Sequence, residues 1–179
     1  NCTERIFFYI DNVPQEAAAT SATPPAKDWP HTGKIELNNL RMKYRDDTPM
    51  VLKGLNLTFE GGERVGIVGR TGSGKSSLLL CLLRLVEPQK SEKGEKPIAV
   101  DGVDVTTIGL SELRKKIAII PQNPTLFSGT IRSNLDPFDE YSDAAIWDAL
   151  EQCEMKPQVE GMEGALQRKV SEYGENLSQ

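Results

Sequence analysis

The sequence predicts an α/β fold: a mixed sheet around one apolar helix, with an antiparallel β portion in front and the start of a helical subdomain behind. Three observations predict it. Apolar residues recur mostly by two over residues 35–44 and 55–59, as in half-buried strands. An apolar run, Arg64–Val68, then leads through a glycine-rich turn into the almost wholly apolar "KSSLLLCLLRLV". From Thr130 onward the apolar positions take helical spacing.

In chain order, "NCTERIFFYI" carries a short apolar patch. Then "VPQEAAATSATPPAKDWPHTG" is rich in Pro, Ala and Thr and reads as an extended linker. Globular structure is expected from Lys34. Ile35, Leu37, Leu40, Met42 and Tyr44 mark a first strand, and Leu55, Leu57 and Phe59 a second. Gly61 and Gly62 turn the chain into a strand over Arg64–Val68. A buried helix follows, then the polar loop "EPQKSEKGEKP" and a hairpin in "IAVDGVDV" turning at Asp101-Gly102. Ser111 can cap a short helix, and "KIAII" reads as a buried strand. Thr130 and Ser142 can cap two more helices, with Ile146, Leu150 and Cys153 on one face of the second.

Composition narrows the function. With 179 residues, 38% of them hydrophobic, the chain can bury one ordinary core. A net charge of -5 with scattered Lys and Arg excludes the basic stripe of a nucleic-acid binder. Cys2, Cys81 and Cys153 are far apart and only one His is present, which argues against a metal or disulfide framework and for reduced thiols. No apolar run reaches the roughly 20 residues that span a bilayer, and "RIFFYI" is too short for a signal peptide core. The Asn-x-Ser/Thr triplets at Asn1, Asn56 and Asn176 carry no meaning in a cytosolic chain.

The chemical signal is "GRTGSGKSS", Gly69 to Ser77, which fits Gly-x-x-x-x-Gly-Lys-Ser, the phosphate-binding loop or Walker A motif. Gly72 and Gly74 let the backbone of Gly69, Thr71 and Ser73 curl, so that N–H groups and the following helix N-terminus face an anion. Lys75 adds a point charge for the outer phosphates. Ser76 offers Mg²⁺ a hard oxygen, and Ser77 completes the motif. The motif does not separate a kinase, a GTPase and a transport ATPase.

Four further segments carry a resemblance that does. The chain resembles a nucleotide-binding domain of an ATP-binding cassette (ABC) transporter. It is most similar to the second such domain of subfamily C, the multidrug resistance-associated proteins, over essentially its whole length. In "MKYRDDTPMVLKGLNLTFEGGERVGIVG" the resemblance implies that Tyr44 stacks on adenine; strand periodicity alone would make Tyr44 a core residue. In "IAIIPQNPTLFSGTIRSNLDPF" it makes Gln122 the Q-loop residue that reaches Mg²⁺ and the attacking water, with the loop beyond it touching the membrane domain. The spacing from Lys75 to Gln122 is longer than family members usually show, and residues 87–96 read as a surface insertion without an assigned role. "NLDPFDEYSDAAIWDALEQC" is typical of the second domain of subfamily C. In "YGENLSQ", residues Gly174 to Ser178 match the start of the signature, whose serine (here Ser178) reaches ATP held by the other nucleotide-binding domain, head to tail.

The resemblance thus implies a P-loop NTPase fold of the ABC ATPase type lacking its C-terminal part. Residues 1–33 would be a linker from a preceding transmembrane domain, and 34–179 a partial nucleotide-binding domain, with its core at 34–128 and a helical subdomain starting at about 129–179. The ligands would be ATP and Mg²⁺. The partners would be the other nucleotide-binding domain and the transmembrane domains, at the cytosolic face of a membrane. The parent would hydrolyse ATP to export organic anions or drug conjugates. Walker B, the catalytic Glu and the switch His would lie downstream, so the chain alone is expected to bind ATP without hydrolysing it, and to be marginally stable with apolar surface uncovered. A regulatory or channel-type member of the subfamily is the alternative. An unrelated P-loop kinase or GTPase is disfavoured by the Q-loop, by Leu177-Ser178 and by the lack of Asn-Lys-x-Asp.

Overall fold

The computed structural model describes residues 2–89, 94–171, 174 and 176. The chain divides into two compact units, residues 1–118 and 119–179.

The first unit is built on a four-stranded antiparallel sheet in the order β2-β1-β3-β4. β1 (Ile35–Met42) pairs with β2 (Leu52–Phe59) on one side and with β3 (Ile98–Val100) on the other, and β3 turns into β4 (Val103–Asp104). The predicted hairpin is present. Asp101 and Gly102 both take positive φ, 47° and 76°, the pairing that a two-residue turn needs to match the strand twist. In β1 the spacing of apolar residues breaks between Leu37 and Leu40, and there the ladder slips register. Asn39 adopts φ 49° and its N–H donates to Asn56 Oδ1 at 2.8 Å. This irregularity turns both leucines inward despite their odd spacing.

Behind the sheet lies α2 (Lys75–Leu82), which buries Leu78 and Cys81 against Leu37, Leu40, Met42, Leu52 and Ile98. The helix is apolar around its circumference, yet Leu79 stays exposed. Its C-terminal end is tied down by Arg84, a buried side chain. Arg84 Nη1 donates to the carbonyls of Val105 (2.9 Å) and Ile108 (2.7 Å), and Nε and Nη2 grip Glu87. A short turn over Val105–Thr107 leads to α3 (Leu110–Arg114).

The segment read as a linker contributes to this core. Helix α1 (Cys2–Asn12) buries nothing, but Trp29 is only 2% exposed and its indole N–H donates to the Val100 carbonyl at 2.9 Å. Residues 16–21 form a strap across the start of α3. The Ala18 and Ala19 carbonyls accept the N–H groups of Leu110 (3.0 Å) and Ser111 (2.9 Å), and Ser21 Oγ donates to Glu112 (2.8 Å). The expected cap at Ser111 is therefore corrected. Gly109 takes the N-cap position, Glu112 reaches back to its N–H at 2.8 Å, and the strap satisfies the next two donors.

Two expected strands are also corrected. Neither Arg64–Val68 nor the "KIAII" run over 116–120 joins a sheet, and both described sheets are wholly antiparallel, so the mixed sheet around α2 is not formed among the described residues. Both segments are largely exposed, reaching 97% at Val68 and 94% at Ile120. The physical reason is pairing: a buried strand needs a ladder beside it, and the sheet offers these two segments none.

The second unit has its own small core of Ile131, Ile146, Leu150, Val159, Leu166 and Val170. A two-stranded pairing of β5 (Gly129–Thr130) with β6 (Lys169–Val170) anchors α4 (Ile131–Leu135), followed by α5 (Asp143–Gln152) and α6 (Lys156–Glu160). Thr130 and Ser142 cap α4 and α5 as expected, accepting from Ser133 N at 3.0 Å and Ala145 N at 3.4 Å. Ile146 and Leu150 are buried, but Cys153, expected on the same face, sits exposed at the helix end. Among the described residues no helix is long and apolar enough to cross a membrane.

Candidate functional site

The loop Gly69–Gly74 leads directly into α2. Gly74 precedes the first helical residue with φ 92°, a conformation that disfavours any side chain, and a Cβ there would lie 3.2 Å from Leu52 Cδ2. The backbone conformation thus favours glycine here, and the close Leu52 side chain adds to that preference. At the start of α2 the unpaired N–H groups make the loop side attractive to anions. Lys75 folds back over the loop, and its ammonium donates to the carbonyls of Gly69 (2.7 Å) and Arg70 (2.8 Å). A cation therefore lies inside the loop's own curve. Ser73 N donates to Arg70 O at 3.1 Å, closing the turn, while Thr71, Gly72 and Ser73 are exposed.

Ser76 and Ser77 follow Lys75 and part company. Ser76 is exposed, whereas Ser77 is buried, 5% exposed, with its hydroxyl 2.8 Å from the Tyr44 hydroxyl. Tyr44 lies just beyond β1 in a loop closed by the Val51 N–H donating to Met42 O (2.8 Å) and by Thr48 bonding to Arg45. Tyr44 is 49% exposed. Tyr44, Gly72, Ser73, Gly74 and Lys75 all line one cavity of about 990 Å³, whose remaining wall includes Val51 and Leu52. The fold thus gathers into one cavity a flat aromatic ring and a phosphate-type loop that lie far apart in sequence. Among the described residues no Asp, Glu or His lines it.

The cavity sets the Tyr44 ring and the Gly72–Lys75 loop beside a mainly apolar wall that includes Leu55, Leu57 and Phe59, so a ligand with an aromatic and an anionic group would find a partner for each. The donor set also suits Mg²⁺ carried on phosphates. Ser76 presents a hard oxygen at the first turn of α2, and among the described residues no cluster of His, Cys, Asp or Glu could hold an ion on its own.

The other expected site residues belong to the second unit. Gln122 is exposed there. Ser178 lies outside the described residues. Near it, Asn176 is bound firmly: Nδ2 donates to Lys169 O (2.7 Å), and Oδ1 accepts from Ser171 N (2.9 Å) and Ser171 Oγ (3.0 Å). The sequence offered no sign of that staple, nor of the Tyr44–Ser77 pair, because both rest on side-chain contacts that spacing does not encode.

Comparison with known proteins agrees with this geometry. The family described as "ABC transporter" matches residues 52–179. ABC transporter C family member 7 of Arabidopsis thaliana is 47% identical over 175 residues, covering 98% of this chain and 11% of the relative. ATP-binding cassette sub-family C member 2 of Rattus norvegicus is 48% identical, with the same 98% and 11% coverage. The chain thus spans about a tenth of the length of these curated relatives. Among solved structures, a bacterial Atm1-family ABC exporter with ATP bound superposes with a TM-score of 0.81 at 26% identity, over 99% of this chain and 30% of that one.

Proposed function

The chain belongs to the ABC transporter family, and from that premise we propose that it is the ATP-binding part of a subfamily C exporter. The observation that carries this reading is the single cavity lined by both Tyr44 and the Gly72–Lys75 loop. In the proposal Tyr44 stacks on adenine, where a flat ring tolerates a base with little hydrogen-bond readout. Gly69 to Gly74 present N–H groups to the phosphates, and Lys75 leaves its two carbonyl partners to pair with the outer ones. Mg²⁺, arriving with the nucleotide, would neutralise phosphate charge, and Ser76 and Gln122 are the residues that the subfamily resemblance assigns to it.

The wider proposal follows the subfamily. Residues 1–33 lead from a preceding transmembrane domain into the nucleotide-binding domain of 34–179, with Trp29 already packed into the core that continues over 34–128 and the helical subdomain from about 129. The Q-loop region meets the membrane domains, Ser178 serves ATP bound on the other nucleotide-binding domain, and the whole works at the cytosolic face of a membrane. The parent uses ATP to export organic anions or drug conjugates.

Titration of a fluorescent ATP analogue with Mg²⁺ tests the site. Lys75→Ala should weaken binding by roughly tenfold or more, the worth of a charge-assisted contact; equal binding by both proteins sinks the assignment. Because no Asp, Glu or His among the described residues lines the cavity, steady-state hydrolysis by this chain alone is expected at background. A turnover abolished by Lys75→Ala would overturn that expectation.

A further inference from the structure

We propose that residues 16–21 are a latch: a strap that docks on the corner of α2 and α3 and leaves it as a unit while the sheet stays folded, with Trp29 as its fixed end. The strap is held by hydrogen bonds and one ion pair. The Ala18 and Ala19 carbonyls accept from Leu110 N (3.0 Å) and Ser111 N (2.9 Å), Glu112 accepts from Ser21 N (3.2 Å) and Ser21 Oγ (2.8 Å), and Arg114 grips Glu16 at 2.9 and 3.2 Å. Residues 2–20 are exposed throughout, so no side chain there is packed into the core. Trp29, by contrast, is buried, and its indole N–H donates to the Val100 carbonyl. Gly109 supplies the room. Its φ of -68° and ψ of 146° suit any residue, yet a Cβ there would lie 2.5 Å from Thr20 Cα and closer still to the Ala19 carbonyl oxygen. Glycine at 109 therefore serves the strap and not its own backbone.

Solvated hydrogen bonds and exposed ion pairs stabilise little, so a segment held by them alone opens locally, whereas a buried indole leaves only with the core. Closed, the strap gives acceptors to two N–H groups at the start of α3 and a counter-charge to Arg114, whose other donors hold the Leu83 and Arg84 carbonyls at the end of α2. Open, water takes the strap's place at those donors, and everything before Trp29 hangs from an extended segment rich in Ala and Pro. The latch is independent of what the cavity binds. Where residues 1–33 lead from a transmembrane domain, it sets whether the ATP-binding part is held closely through the α2–α3 corner or loosely through Trp29 alone.

Amide hydrogen exchange of the 179-residue chain, resolved by NMR, tests the latch. In the wild type the Leu110 and Ser111 amides should exchange about a hundredfold or more faster than the amides bonded between β1 and β3. Sub-denaturing urea should hardly change their rates, because opening the latch uncovers little surface. Gly109→Ala, which blocks the strap without straining its own backbone, should speed both amides about tenfold or more and leave the β1–β3 amides within about twofold. Glu16→Gln combined with Ser21→Ala should act in the same direction, by about three- to tenfold. Exchange of Leu110 and Ser111 at the rate of the β1–β3 amides in the wild type, or an equal acceleration of the sheet by Gly109→Ala, makes the strap part of the core and overturns the proposal. Unchanged rates at Leu110 and Ser111 in both variants overturn it as well, since the strap would then protect neither. If Gly109→Ala does not fold, the Glu16→Gln and Ser21→Ala chain, altered only in the strap, decides it by the same comparison of amides.

Discussion

Asp101 and Lys34 are joined twice: the Lys34 N–H donates to the Asp101 carboxylate at 3.0 Å, and the Asp101 N–H donates to the Lys34 carbonyl at 2.8 Å. The same carboxylate accepts the N–H groups of His31, Thr32 and Gly33 and the Thr32 hydroxyl. It therefore organises the chain's entry into β1 from the turn of a hairpin some seventy residues away.

These donors hold the Asp101 carboxyl well below the usual carboxylate range, the Thr32 hydroxyl foremost. A depressed folded pKa stabilises the fold above the unfolded pKa of about 4, and that stability drains as the pH falls toward the folded value. Asp101→Asn keeps a residue that tolerates positive φ and removes the charge. It should lower the thermal midpoint by about 4 °C at pH 7. The gap between variant and wild type should narrow steadily below about pH 4. A gap that is constant from pH 7 to acid would show that the charge is irrelevant.

Arg114 links the strap to the end of α2. Its guanidinium pairs with Glu16 at 2.9 Å and donates to the carbonyls of Leu83 and Arg84, both at 3.0 Å. The ion pair is largely solvated, and such pairs contribute little; the carbonyls at the helix end have more to lose. Glu16→Gln should therefore shift the thermal midpoint by less than about 2 °C, and Arg114→Met by several times more. Equal shifts would place the whole effect in the ion pair.

The three cysteines should separate cleanly. Cys2 and Cys153 are exposed, while Cys81 is buried on α2, where burial pushes its thiol up to about 11. A thiol-reactive chromophore at pH 8 should label two thiols per chain quickly, and the third only after addition of denaturant. Rapid labelling of all three in the native protein would mean that α2 does not stay packed on the sheet.

The legible part of the fold was local. The Asp101-Gly102 turn, the caps at Thr130 and Ser142, the antiparallel strands and the Gly69–Ser77 loop each depend on residues close together in sequence. The illegible part depended on what those residues meet. Trp29 reads as part of a polar linker, yet the Val100 carbonyl draws it into the core. Val65, Ile67, Ile119 and Ile120 have a strand's composition without a strand's neighbours, and remain exposed.

The candidate site divides along the same line. Its loop chemistry was legible in the chain: glycines that permit the curl, a lysine suited to an anion and a hydroxyl suited to a hard cation; the expectation that Tyr44 meets a base came from the family resemblance alone. The surroundings of each hydroxyl were decided in three dimensions. Ser76 and Ser77 are identical letters side by side, and only the rotation of a helix against β1 leaves one in solvent and sets the other against Tyr44. Local backbone preference and residue chemistry are properties of a short stretch. Burial and hydrogen-bond partners are properties of the surfaces it meets, and those exist only once the chain has folded.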